Sequence, residues 1–179
     1  MSQFHCFFIN IKEMFHMPRK LLLTLILSLF FALPCLAHSY PLSEAYIGGV
    51  GPNCTMKYVK SIYGEPKSKK WAATDGIRSV TYYYSPLYRV TGRTWANHAI
   101  PEDEFPVVGY TVKANNLTTP SGITVGVPYS TVAKMYGPGQ RYVEKGHVKY
   151  IYSLPNQHEI SFTINKKGII TEIYLGTDF

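Results

Sequence analysis

Val80 to Ser85 reads "VTYYYS" and Val148 to Ser153 reads "VKYIYS", one Val-x-Tyr-x-Tyr-Ser frame written twice. Nothing else in the chain constrains its fold as much. Successive side chains of an extended strand point to opposite faces, so Val80, Tyr82 and Tyr84 share one side, as do Val148, Tyr150 and Tyr152. Two strands that each present a valine and two tyrosines on one face need something apolar to cover them.

The cover is legible upstream of each frame. "CTMKYVKSIYGEP" runs from Cys54 to Pro66 and "VPYSTVAKMYGPG" from Val127 to Gly139. Aligning Gly64 with Gly137 matches Val59 with Val132 and Tyr63 with Tyr136. Met56, Val59 and Tyr63, like Tyr129, Val132 and Tyr136, recur at i, i+3, i+7, which places each trio on one face of a short helix. Thr55 is suited to cap the first helix, Pro128 fits the first turn of the second, and the two glycines, followed by Pro66 and Pro138, stop both. Downstream, Glu159 to Asn165 alternates cleanly, "KKG" reads as a turn, and Ile169 to Leu175 reads as a further strand. The earlier region offers Leu87 to Ala96 and Pro106 to Lys113 as strands, with "NHAIPEDEF" as an elaborated turn and the lysine-rich stretch Lys67 to Lys70 as a loop. The expectation is an α+β fold, a tandem repeat of a short helix packed on an antiparallel β-meander, in two copies of about 70 residues spanning 38–121 and 122–179.

The N-terminal region points to export. Met17-Pro18-Arg19-Lys20 precedes thirteen residues, "LLLTLILSLFFAL", from Leu21 to Leu33. A membrane span needs about 20 apolar residues, so a run this short with a basic flank before it and small residues after it reads as a signal peptide over 1–37, cleaved after Ala37. A retained anchor helix and lipidation at Cys35 are the alternatives, the second opposed by Pro34. Residues 1–16 do not resemble a signal, and translation is expected to begin at Met17. Without the leader the 18 basic and 11 acidic residues fall to 15 (18 − 3) and 10 (11 − 1), a net charge of +5. Cys54 is then the single cysteine, so stability must come from packing and not from an internal disulfide.

The glycine before each helix, the mid-helix valine, the Tyr-Gly ending and the tyrosine-rich strands resemble the β-lactamase-inhibitor-protein-like fold, and are similar to the small SmpA-type lipoproteins of the outer-membrane β-barrel assembly machinery. The stretches that carry the resemblance are "GGVGPNCTMKYVKSIYGEP" and "GITVGVPYSTVAKMYGPG" with their following strands, nearly all of the chain beyond the leader. The resemblance implies a fold used for protein–protein binding in cell envelopes, and no substrate. No binding residue is carried over from either group.

Catalytic chemistry finds little purchase. His38, His98, His147 and His158 have no metal-ligand spacing. His98 with Glu102, Asp103 and Glu104 is the nearest approach to a site, and a solvated turn accounts for it. Cys54 beside a helix start has no evident histidine partner, and "IGGVG" at Ile47 to Gly51 lacks the lysine and spacing of a phosphate loop. No enzyme activity, cofactor, metal or nucleic-acid partner is expected. The sequons at Asn53 and Asn116 matter only in a eukaryotic source.

Two classes of function remain. One is a non-catalytic, exported cell-envelope module, periplasmic or extracellular, that binds an envelope or secreted protein through its exposed sheet face and loops. The alternative is binding of a cell-wall polysaccharide or anionic envelope polymer, with Trp71, Trp95 and tyrosines as stacking platforms beside lysines. If the frame tyrosines turn inward, Thr81, Tyr83, Lys149 and Ile151 occupy the opposite face. The same alternation puts Ser161, Thr163, Ile170, Glu172 and Tyr174 there, with Ile169, Ile173 and Leu175 inward. Tyr83, Ile151, Tyr174 and Lys149, helped by Trp95 on the elaborated turn, are the expected contact residues.

Overall fold

In the computed structural model, which describes residues 40–177, helix α1 (Met56–Tyr63) starts at Thr55, whose side chain accepts a hydrogen bond from the Tyr58 N–H at 3.3 Å. Helix α2 (Tyr129–Tyr136) follows Pro128. Gly64 and Gly137 end them, both at a φ of 75°, where a side chain would strain the backbone. Each helix turns its inward stripe onto the sheet: Met56, Val59 and Val132 are fully buried and Tyr129 nearly so. The expectations for the leader, the Met17 start, Cys35, Ala37 and His38 lie outside the described residues.

The strands correct the expected architecture. Eight strands, β1 (Ser68–Thr74), β2 (Ile77–Ser85), β3 (Tyr88–Trp95), β4 (Val107–Val112), β5 (Gln140–Glu144), β6 (His147–Ser153), β7 (His158–Ile164) and β8 (Ile170–Thr177), form one antiparallel sheet in the order β1-β2-β3-β4-β8-β7-β6-β5. The fold is mostly β, with two short α-helices among the described residues, and the expected tandem repeat of helix-plus-meander units is not what forms. The reason is the β4–β8 ladder, in which Tyr110 pairs with Leu175, Thr111 with Tyr174 and Val112 with Ile173. Backbone hydrogen bonding therefore runs unbroken across all eight strands. The matched stretches of sequence encode local structure, namely helix stops and inward tyrosines, and say nothing of where one sheet ends.

Two strands are additions to the sequence reading. Lys69 and Lys70, expected in a loop, belong to β1, which turns into β2 through Asp75 (φ 51°) and Gly76 (φ 75°). β5 turns into β6 the same way through Lys145 (φ 49°) and Gly146 (φ 80°). Two successive left-handed residues make the tight hairpin turn whose twist matches the strands it joins. Every residue of β1 and β5 is exposed, and these strands are the two edges of the sheet.

The core lies between the sheet and a layer made of α1, α2 and the segments around Tyr40–Val50 and Ile123. Val80, Tyr82, Val90, Tyr110, Val112, Ile160, Phe162, Ile173 and Leu175 supply the sheet side, all essentially buried. One inward residue departs from strict alternation. A register irregularity between Thr163 and Ile164 pairs Ile164 with Ile170, and Ile170 is fully buried instead of lying on the open face. The "IGGVG" segment is the expected turn, closed by a bridge between Ile47 and Val50, and the Tyr63 hydroxyl donates to the Gly48 carbonyl at 2.6 Å.

Candidate binding face

The sheet face away from the helices carries the expected contact residues, and the register brings three of them into line. Tyr83 pairs with Arg89, Arg89 with Thr111, Thr111 with Tyr174, Tyr174 with Ser161, and Ser161 with Ile151. Ser68 and Gln140 close this row at the two edge strands. Tyr83, Tyr174 and Ile151 thus stand on one transverse line across the sheet, each partly exposed. Lys149 is one step along β6 on the same face, where its ammonium lies 5.9 Å from the centre of the Tyr174 ring, a cation–π contact. Ser161 is fully buried between Tyr174 and Ile151 in that row, which places it beneath the surface and not on it.

Trp95 ends β3, inside the expected Leu87–Ala96 strand and just before the elaborated turn, and pairs with Ile77. Alternation along β3 puts it on the open face with Arg89, Thr91 and Arg93. Trp71 pairs with Val80 and so belongs to the helix-bearing face, where it meets the Phe105 ring edge-on at 5.9 Å. Both tryptophans are about half exposed, at 49% and 50%, but on opposite sides of the sheet. They cannot form one stacking platform.

The open face is hollowed and basic. Its middle is floored by the small residues Thr81, Thr91 and Gly109, with the Thr81 and Thr91 hydroxyls 3.0 Å apart, and walled by Tyr83, Arg89, Arg93 and Tyr174 around a hollow of about 290 Å³. A Cβ on Gly176 would collide with the ring and hydroxyl of Tyr174, so this glycine lets the ring lie along β8. Toward one end of the strands a groove of about 760 Å³ takes in Arg89, Lys113, Lys145, Lys149 and His147, with Glu144 and Glu172. Lys113 pairs with Glu172 at 3.1 Å, and Arg89 Nε donates to Thr111 Oγ1 at 3.0 Å. Sequence reading passed over Arg89, Arg93 and Lys113, although alternation in "YRVTGRTW" was the signal that aims both arginines outward.

The His98, Glu102, Asp103 and Glu104 cluster resolves into structure. Lys60 pairs with Asp103 at 2.5 Å, Lys69 with Glu102 at 2.8 Å, and the Tyr82 hydroxyl donates to the same Glu102 carboxylate. Desolvation works against the Glu102 charge, but hydrogen bonds from Lys69 and Tyr82 prevail and hold its carboxyl below the usual range. Among the described residues no group of three or more His, Cys, Asp or Glu is placed to hold a metal ion. Cys54 is a free, partly buried thiol. Among the described residues no helix is long and apolar enough to cross a membrane.

No protein-family model matches the chain, and no curated protein matches it. Among solved structures, it is similar to an extracellular SCP-domain protein from Bacillus anthracis, at 11% identity over 69% of this chain and 43% of that one, with a TM-score of 0.44. An Escherichia coli protein, the uncharacterized yfeY, shares 11% identity over 75% of this chain and 98% of its own, again at 0.44. A Streptococcus mutans protein provisionally named a β-lactamase inhibitor protein shares 9% identity over 68% of this chain and 82% of its own, at 0.29. This chain therefore spans less than half of the Bacillus anthracis protein. These TM-scores lie below 0.5, and no functional conclusion rests on them.

Proposed function

We propose that the chain is a non-catalytic, exported cell-envelope module that binds a secreted or envelope protein through the open face of its sheet. The observation that carries this reading is the transverse row in which Tyr83, Tyr174 and Ile151 line up across the sheet beside Arg89 and Lys149. Partly exposed aromatic and arginine side chains on a rigid sheet, with polar residues around them, have the composition of contact surfaces where a few anchors dominate affinity. The basic groove on the same face supports a second reading, an anionic envelope polymer, although the separation of Trp71 from Trp95 removes the paired stacking platform that reading would use.

The test is capture from envelope extract and culture fluid with the wild-type protein and a Tyr83→Ala/Tyr174→Ala double variant. Each substitution is expected to weaken capture of a protein partner by about 1 kcal/mol or more while the circular dichroism spectrum is retained. Equal capture by wild type and double variant removes the sheet face from the reading.

A further inference from the structure

The hollows of the open face follow one strand and change character along it. Trp95 stands with Ile77, Ile100 and Pro106 around a mainly apolar hollow of about 220 Å³. Arg93 lines both this hollow and the central one, and Arg89 lines both the central one and the large basic groove. Arg89, Thr91, Arg93 and Trp95 are alternate residues of β3, so from Trp95 to Arg89 the trough runs roughly 20 Å. Its apolar end is a strand's length from its cationic end.

Charge is distributed to match. In the basic groove Glu172 lies 3.1 Å from Lys113 and Glu144 lies 4.0 Å from Lys145. Among the described residues this leaves Arg89 and Lys149 with no carboxylate at ion-pair distance, Arg89 exposed and Lys149 partly so. Arg89 on β3 and Lys149 on β6 lie four strands apart, roughly 19 Å across the sheet and on successive rows, and each, without an internal counter-ion, complements a carboxylate from outside.

We propose that this trough holds an extended acidic segment of a protein, one apolar side chain seated against Trp95 and the carboxylates directed at Arg89 and Lys149. The proposal rests on the open-face reading above and names the chemistry of its partner. An uninterrupted polyanion would meet the basic groove equally well but has nothing to place in the hollow formed by Ile77, Trp95, Ile100 and Pro106. A peptide varies its side chains along its length, which is what a trough with one apolar and one cationic end selects.

Fluorescence anisotropy of the purified protein with synthetic probes tests this. The probes are a labelled dodecapeptide with Phe at one end followed by Glu and Asp, the same peptide with Ala for Phe, one with Lys for every acid, and an oligogalacturonate of equal charge. The Phe-bearing acidic peptide is expected to bind most tightly and the Lys peptide not at all. Arg89→Ala and Lys149→Ala should each weaken it about tenfold, as loss of a charge-assisted hydrogen bond does. Trp95→Ala should abolish the advantage of Phe over Ala while leaving the acidic contribution in place. Oligogalacturonate binding as tightly as the peptide, and indifferent to Trp95→Ala, overturns the proposal in favour of a polymer. No saturable binding of the acidic peptide also overturns it. A partner captured in a Tyr83- and Tyr174-dependent manner that excess acidic peptide fails to displace overturns the acidic segment alone, because the open-face module then stands without it.

Discussion

Tyr82 and Tyr83 are neighbours in sequence and opposites in role. On the helix-bearing face Tyr82 is fully buried, its hydroxyl on the Glu102 carboxylate, as Tyr110 is buried with its hydroxyl on the Ala45 carbonyl at 2.9 Å and Tyr152 with its hydroxyl on the Gly137 carbonyl at 2.7 Å. On the open face Tyr83 and Tyr174 keep part of their rings in solvent beside arginine and lysine. One residue type serves two purposes, and strand parity alone decides which. Buried phenols that close hydrogen bonds to backbone and carboxylate fix the layer above the sheet, whereas half-exposed rings on the opposite side are available for contact. Substitutions on the two faces should therefore separate stability from binding.

The largest effect belongs to the centre of the covered face. Val59→Asp and Val132→Asp each put an unpaired charge where the valine is completely buried, and each should destabilise the protein by several kcal/mol. Because one sheet runs through both regions, either variant should lower the single thermal transition as a whole. Two separated transitions, one wild-type in position, would break the single-sheet account, and an unchanged melting temperature would break the assignment of faces.

Next in size is Tyr110→Phe, which removes the hydroxyl that spans from β4 to the Ala45 carbonyl inside the core. Loss of that buried hydrogen bond should cost about 1 to 2 kcal/mol in urea unfolding. Tyr83→Phe, one face away, should leave stability within a few tenths of a kcal/mol, in keeping with surface substitutions. Equal costs for the two would erase the distinction between the faces.

Gly176→Ala sharpens the comparison from the other side. The added methyl meets the flexible end of the Tyr174 side chain, so the ring should swing off β8 at a stability cost of about 1 kcal/mol or less. Its signature should be a changed near-ultraviolet circular dichroism spectrum with the far-ultraviolet spectrum preserved. A spectrum identical to wild type would show that Tyr174 does not lie where this face requires.

The faces were legible in the sequence because alternation is local, and the sheet was not. Val80, Tyr82 and Tyr152 point inward as the Val-x-Tyr-x-Tyr-Ser frame demands, and Val59 and Val132 sit under their helices. The pairing of Tyr110 with Leu175 joins residues 65 apart (175 − 110) and has no local signature, so a continuous sheet could not be told from two meanders. The edge strands were hidden for a different reason. β1 and β5 are exposed on both faces, carry Lys69, Lys70, Arg141 and Glu144, and show no apolar period, as edges protected against foreign pairing tend to do. The Asp75-Gly76 pair was the available clue to the first of them. At the candidate site, parity named the face of Tyr83, Ile151 and Tyr174, while their common row depends on the register of five pairings that parity does not contain.

The smallest effect is a pH dependence that two groups of the covered face should supply. Glu102 accepts from Lys69 at 2.8 Å and from the buried Tyr82, and its folded carboxyl titrates below its ordinary value. With the folded pKa depressed, the unfolded chain binds more protons as the pH drops past the ordinary carboxylate range of about 4.5. The stabilisation from Glu102 is then fully present above that range and is lost as the pH falls through the folded pKa. His158 adds in the same direction at higher pH: burial lowers its folded pKa, so below about 6.5 the unfolded chain takes up the proton first and stability declines. Glu102→Gln should flatten the acid limb of a stability-versus-pH curve, and His158→Gln the limb just below neutrality. Tyr83→Phe, on the open face and with no carboxylate hydrogen bond among the described residues, should leave the curve parallel to wild type. Urea melts at intervals from pH 3 to pH 8 measure all three, and an acid limb in Glu102→Gln as steep as in wild type would detach Tyr82 and its carboxylate from the stability of the covered face.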